Sequence, residues 1–182
     1  GFLGVLIAVV VWSRFNRDIK FWEVTDLLSI SAPIGLFFGR IANFINAELY
    51  GRPTDVPWAM RFPVYTRDRT VVGYTEPRHP SQLYESFLEG LVLFIALNIA
   101  WRNPSIRERA GMVTGGFIAG YGLFRFLVEF VRKPDDGIEA GFLKFAGLGA
   151  FTTGQELSFP MIIIGVAIIL WRRNVNQQAK AA

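Results

Sequence analysis

Apolar residues run in blocks along this chain, not at the spacings of a half-buried strand or an amphipathic surface helix. Five blocks stand out: residues 2–12, 24–38 (continuing through 39–46), 83–101, 111–131 and 157–171, the last extendable back through a glycine-rich stretch from Ala146. The third and fourth approach the roughly 20 residues that a spanning helix needs, whereas the first is too short to cross a core of about 30 Å by itself. Between the second and third blocks lies a polar, proline-rich stretch, residues 51–80, with Pro53, Pro57, Pro63, Pro77 and Pro80. The pattern predicts an all-α integral membrane protein. It has about five transmembrane helices in one membrane domain over residues 1–182, and a small extramembrane lobe over about 51–80.

Composition strengthens the membrane reading. Of 182 residues, 52% are hydrophobic and only 19% charged, unlike an ordinary soluble domain. The formal net charge of +4 does not point to nucleic acid, because the basic residues gather at the ends of apolar blocks and in the 51–80 stretch, where lipid headgroups lie. If all five blocks span, three basic segments share one side: 14–20, 102–109 and 172 to the end. Cytoplasmic segments are expected to be basic in this way. The lobe and the loop 132–156 then face the opposite side. The lobe's own arginines (Arg52, Arg61, Arg67, Arg69, Arg78) run against that rule, although acidic residues interleave with them. There is no cysteine, hence no disulfide or thiolate site, and a single histidine rules out most standard zinc sites. Gly1 opens within an apolar stretch, with no Met and no basic region before it, which reads as a longer protein beginning upstream.

Ionisable residues inside apolar blocks are costly and usually face a bundle interior or a wet cavity. Tyr121, Arg125, Glu129 and Arg132, spaced 4, 4 and 3, fall on one helical stripe. A self-neutralising Arg125–Glu129 pair is the plainer account of part of it. Glu85 and Glu89, one turn apart near a block boundary, either belong to such a site or simply reach water. The densest run is Arg40, Asn43, Asn46 and Glu48, followed by Tyr50, Gly51 and Arg52. Arg40 offers a planar fork suited to phosphate oxygens, which Asn43 and Glu48 can position, although snorkelling into headgroups is an alternative. The pairs Gly111/Gly115 and Gly116/Gly120 allow close helix packing. His79 sits at the junction of lobe and helix, with Ser81 as a candidate N-cap; base, phosphate ligand and capping roles are all open to it, the structural one favoured.

The run Gly39-Arg40-Ile41-Ala42-Asn43-Phe44-Ile45-Asn46-Ala47-Glu48 with Gly51-Arg52 resembles the signature of the prolipoprotein diacylglyceryl transferase family. Arg78-His79-Pro80-Ser81-Gln82-Leu83-Tyr84-Glu85 resembles a second motif of that family. Tyr121-Gly122-Leu123-Phe124-Arg125 with Glu129-Phe130 and Arg132-Lys133-Pro134-Asp135 resembles a third. Gly154-Gln155 with Ser158 and Pro160 looks like the start of its last helix. The motifs fall in family order.

The resemblance implies a bacterial inner-membrane (cytoplasmic-membrane) multi-pass enzyme with its active site toward the periplasm. The thiol of a prolipoprotein lipobox cysteine attacks the glyceryl carbon of phosphatidylglycerol, a thioether forms and glycerol 1-phosphate leaves. Arg40 and Arg125 are the catalytic candidates for stabilising the phosphate. Glu48 and Glu129 would orient them or the glycerol hydroxyls, Asn43 would hold headgroup oxygens and Tyr121 would donate a hydrogen bond. Asn46, Gly51 and His79 complete the substrate-binding set. The partners are phosphatidylglycerol, the prolipoprotein signal peptide and membrane lipids; no metal or organic cofactor is implied. The family's base histidine would lie just upstream of Gly1, so His79 is not promoted to that role. A lipid-binding or transport protein without chemistry is the alternative, and an internal inverted repeat would favour it; none is visible. A metal-dependent lipid transferase would need a cluster of carboxylates on one helix face, and Asp135-Asp136 sits in a loop.

Overall fold

In the computed structural model, residues 2–16, 20–133 and 152–181 are described. The elements are helices α1 (Phe2–Phe15) and α2 (Phe21–Ile45), a hairpin of β1 (Pro63–Tyr65) and β2 (Val71–Tyr74), then α3 (Ser81–Arg102), a one-turn α4 (Pro104–Arg107), α5 (Met112–Val128) and α6 (Thr153–Ala181). Among the described residues three helices are long and apolar enough to cross a membrane: α2, α3 and the Thr153–Asn174 part of α6. At 17 residues α5 is apolar but shorter, about 26 Å along its axis. The apolar blocks therefore become helices, and the protein is a mostly helical membrane protein. The 51–80 stretch departs from the all-α expectation. Its antiparallel hairpin pairs Pro63 with Tyr74 and Val64 with Gly73. Val64, Tyr65, Val71 and Tyr74 are β-branched or aromatic, and the proline lies at the first position of an edge strand, where its missing N–H costs least. In the connecting turn, hydrogen bonds from Thr66 and Thr70 hold the Asp68 carboxyl below the usual carboxylate range.

The bundle is built inside out. Large apolar side chains such as Ile34, Phe38, Phe87, Leu91, Ile95, Leu123 and Ile163 are exposed on helix faces, whereas Gln82, Glu85, Ser86, Glu89, Asp26 and Ser158 are buried. A small apolar core of Leu93, Leu97 and Val113 lies beside these polar groups. That arrangement suits a bilayer, where the exterior meets hydrocarbon and polar groups must find partners within the protein.

Small residues set the helix spacing. A Cβ on Gly115 would lie 2.8 Å from the Gly165 carbonyl oxygen, and one on Gly165 would lie 2.4 Å from the Ala119 nitrogen, so α5 and α6 touch backbone to backbone. Gly116 and Gly120 face Leu97 and Leu93 of α3 instead, and Gly111 lies at the helix start. Of the two expected glycine pairs, then, only Gly115 sits in the closest crossing, and Gly165 and Gly122 join it.

Each end of the bundle is tied by polar contacts. At one end Asp26 accepts hydrogen bonds from the Gly111 and Thr114 backbone N–H groups (both 2.7 Å) and from the Thr114 hydroxyl (2.6 Å), closing the first turn of α5. Gly111 takes φ +98° there, a left-handed conformation that favours glycine. Arg172 donates to the Ala110 carbonyl at 2.6 Å and stacks against Trp22 and Trp171. At the other end Gly51 pairs with Arg132, and Gln82 donates to the Glu48 carbonyl at 2.6 Å. The starts of α2 and α5 thus share one end with Arg172, and the lobe sits at the other.

Candidate functional site

At the lobe end, α2, α3 and α5 each bring charge to one buried point. Within α3, residues Ser86–Val92 wind as a π-helix, the wider i→i+5 geometry that recurs at functional sites. The Ser86 hydroxyl donates to the Phe37 carbonyl at 3.1 Å, and a Cβ on Gly90 would fall 2.6 Å from Phe37 Cβ. This close crossing sets Glu85 and Glu89 opposite Arg40, one turn beyond Phe37.

Arg40 Nε lies 2.8 Å from Glu85 Oε2 and its Nη2 lies 3.8 Å from Glu89. Arg125 Nη1 donates to the same Glu85 oxygen at 3.2 Å, while its Nη2 stands 3.5 Å from Glu129. Arg132 closes the group, with Nε 3.7 Å from Glu85 Oε1 and Nη1 3.9 Å from Glu129. The three glutamates are buried, and Arg40 and Arg125 keep 18% and 15% of their side chains accessible. Three carboxylates therefore face three guanidiniums. That balance makes so much charge tolerable away from water.

The helix stripe read from the sequence holds over Tyr121, Arg125 and Glu129 only. Helix α5 ends at Val128, Glu129 is its C-cap, and Arg132 reaches the group through the following turn and its bridge to Gly51. Glu129 packs against the first turn of α6, where a Cβ on Gly154 would lie 2.5 Å from its carboxyl carbon. A carboxylate at a helix start is favoured by the helix dipole there. Glu85 and Glu89 do not reach water, contrary to one of the two sequence readings; α2 and α5 cover them completely.

The remaining candidates make no ion pair with this group, although Tyr121 lies close enough to feel the charges of Glu89 and Arg125. Tyr121 sits one turn before Arg125 and stacks on Phe117 with ring centroids 6.0 Å apart. Asn43 is half-buried on α2, and Asn46 forms its C-cap. Asn46 and Glu48 are exposed and line a cleft of about 670 Å³ with Tyr50, Tyr65, Arg67 and Arg69. Glu48 thus faces the lobe's arginines, and the partners of Arg40 are Glu85 and Glu89. His79 Nδ1 lies 3.3 Å from the Tyr84 hydroxyl, which also accepts from the Trp58 indole N–H at 2.6 Å. Ser81 is the first helical residue and not the cap; its hydroxyl donates to the Leu49 carbonyl at 3.1 Å, tying α3 to the chain leaving α2. Gly51 is forced by crowding, since a Cβ there would stand 2.5 Å from the Val131 carbonyl oxygen.

Sequence reasoning put Arg132 on the charged stripe and left Glu85 and Glu89 open between such a site and water, but carried none of the three into the candidate set, although their membrane setting was the available signal. Among the described residues no group of three or more His, Asp or Glu is arranged to hold a metal ion. Asp135-Asp136 and residues 146–151 of the glycine-rich stretch lie outside the described residues.

Chemically, two partly accessible guanidiniums side by side, steadied by buried carboxylates, offer donors of a kind suited to an anion in a low-dielectric setting. A family model described as prolipoprotein diacylglyceryl transferase matches residues 1–171. Similar proteins bear the name phosphatidylglycerol–prolipoprotein diacylglyceryl transferase. The one from Paramagnetospirillum magneticum is 48% identical over 183 residues, 100% of this chain and 62% of its own. That from Azospirillum brasilense is 53% identical over 176 residues, 95% of this chain and 60% of its own. A Haemophilus influenzae relative is 48% identical over 171 residues, 94% and 57% respectively. The chain thus spans between 57% and 62% of the length of these curated relatives.

Proposed function

This chain belongs to the prolipoprotein diacylglyceryl transferase family, and from that premise we propose that it carries the phosphate-binding part of a diacylglyceryl transfer site. The substrates are phosphatidylglycerol and the lipobox cysteine of a prolipoprotein. The cysteine sulfur bonds to the terminal glyceryl carbon of the diacylglycerol moiety, the bond from that carbon to the phosphate oxygen breaks, and glycerol 1-phosphate departs with the electron pair. The thiol proton goes to a base, which the resemblance puts N-terminal to Gly1.

The observation that carries this reading is the pairing of Arg40 with Arg125 over a shared, buried glutamate. Negative charge accumulates on the departing phosphate. Donors fixed in advance stabilise that state without having to reorganise, in a setting where each contact counts for more than in water. Glu129 holds Arg125 from its own helix, and Asn43, Asn46, Glu48, Gly51, His79 and Tyr121 form the surrounding wall toward headgroup and peptide. No metal or organic cofactor takes part.

In the same reading α1 and α5 complete a set of about five spans in the bacterial inner membrane. The end carrying Lys20, the 102–109 segment and Arg172 is cytoplasmic, following the positive-inside rule, and the 51–80 lobe stands on the periplasmic side. The test is to express the protein from its native reading frame, purify it in detergent, and incubate it with phosphatidylglycerol, a lipobox peptide and a chelator. A peptide heavier by one diacylglyceryl group at cysteine is the expected product. Binding of phosphatidylglycerol with no thioether would favour the lipid-binding alternative.

A further inference from the structure

We infer that Glu85 is a positioning residue, the fixed point that holds the Arg40 and Arg125 forks side by side for one phosphate. The inference rests on the reading of those two arginines as the phosphate cradle. Glu85 is fully buried and cannot itself meet a ligand, whereas both arginines keep an accessible edge. One of its oxygens serves both cations, at 2.8 Å from Arg40 Nε and 3.2 Å from Arg125 Nη1, and the other faces Arg132 Nε at 3.7 Å. No other carboxylate in the group comes so close. Glu89 stands at 3.8 and 4.0 Å from the same two arginines, and Glu129 at 3.5 and 3.9 Å from Arg125 and Arg132.

The geometry explains why a single residue has this role. Arg40 comes from α2 and Arg125 from α5, and two guanidiniums brought together in a low-dielectric interior repel each other. A carboxylate oxygen shared between them cancels that repulsion and fixes their separation. Because Arg40 meets Glu85 through Nε, the orientation of its fork is set from behind. Glu85 is the last residue before the π-helical stretch, and the Ser86 hydroxyl bonds the Phe37 carbonyl next to it, so its backbone is held against α2. The pair would lose its common anchor if Glu85 were uncharged, although every arginine would still be present.

The test compares Glu85→Gln, Glu85→Asp, Arg40→Lys and the double variant Arg40→Lys/Glu85→Gln in detergent-purified protein. Transfer kinetics are read with phosphatidylglycerol and a lipobox peptide, and phosphatidylglycerol binding is read against phosphatidylcholine by native mass spectrometry. Glu85→Gln is expected to lower kcat at least tenfold in folded protein, with KM changed less than threefold. Glu85→Asp keeps the charge and should recover part of the loss. Because Glu85 acts through the arginines, the double variant should fall much less than the product of the single losses. Wild-type kcat in Glu85→Gln would overturn the inference, as would losses that track only the folded fraction or that multiply in the double variant. If no thioether forms even in the parent protein, the functional reading fails separately. The binding measurement still decides, because Glu85→Gln must then weaken phosphatidylglycerol binding as Arg40→Lys does.

Discussion

Arg40 and Arg125 carry the same charge as lysine, yet the fork is what the proposed chemistry uses. Arg40→Lys or Arg125→Lys should each lower diacylglyceryl transfer at least tenfold while the protein still inserts and purifies, because a lysine offers a point charge where a planar pair of donors is needed. Turnover assays on both variants check this, and near-normal rates in both would remove the phosphate-binding role. At the opposite end, Asp26 satisfies three donors of the 111–114 turn. Asp26→Ala should cost about 2 kcal/mol or more, since the stranded N–H groups are buried. The readout is a lowered thermal midpoint in detergent, with residual activity per folded molecule unchanged.

Among the helices, the tightest joint is α5 against α6, and glycine makes it possible. A methyl group added at Gly165 meets the Ala119 backbone at 2.4 Å, whereas one added at Gly35 of α2 meets nothing within 4 Å. Gly165→Ala should therefore destabilise the bundle by about 1–3 kcal/mol through overpacking. Gly35→Ala should be neutral or slightly stabilising, as helix propensity favours alanine. Thermal midpoints of the two variants, measured side by side, give the comparison; equal midpoints would mean that the α5–α6 contact relaxes freely.

The molecule as a whole has two ends, the 51–80 lobe at one and Lys20, the 102–109 segment and Arg172 at the other. With no cysteine of its own, the chain accepts single reporter cysteines. Arg67→Cys in the lobe and Arg102→Cys at the end of α3 should react with a membrane-impermeant thiol reagent from opposite faces, the first from the periplasmic side of intact cells. Labelling of both from the same side would refute the proposed orientation. The lobe arginines Arg67 and Arg69 are exposed beside the cleft. Neutralising both should weaken binding to phosphatidylglycerol-containing membranes at low salt more than at high salt, because exposed charges are screened over about a Debye length. A co-sedimentation series across ionic strength measures it.

The apolar blocks were enough to place α2, α3 and α5 to within a few residues, and α6 at its start, because a spanning helix must satisfy its own backbone bonds and so depends mainly on local composition. Helix α6 runs on past its block to Ala181. The family motifs were equally legible, since they are runs of adjacent residues. The lobe hairpin was not, because its strands are three and four residues long and depend on packing of Phe62 against Phe44 and Tyr50. Nor did the sequence decide whether Glu85 and Glu89 reach water. Their i,i+4 spacing put them on one helix face, but which neighbour covers that face depends on the α2–α3 crossing at Phe37 and Gly90 and on the π turn between them. Sequence alone fixed which residues are charged within the membrane; tertiary structure chose their partners, because an ion pair between helices is set by where the helices cross.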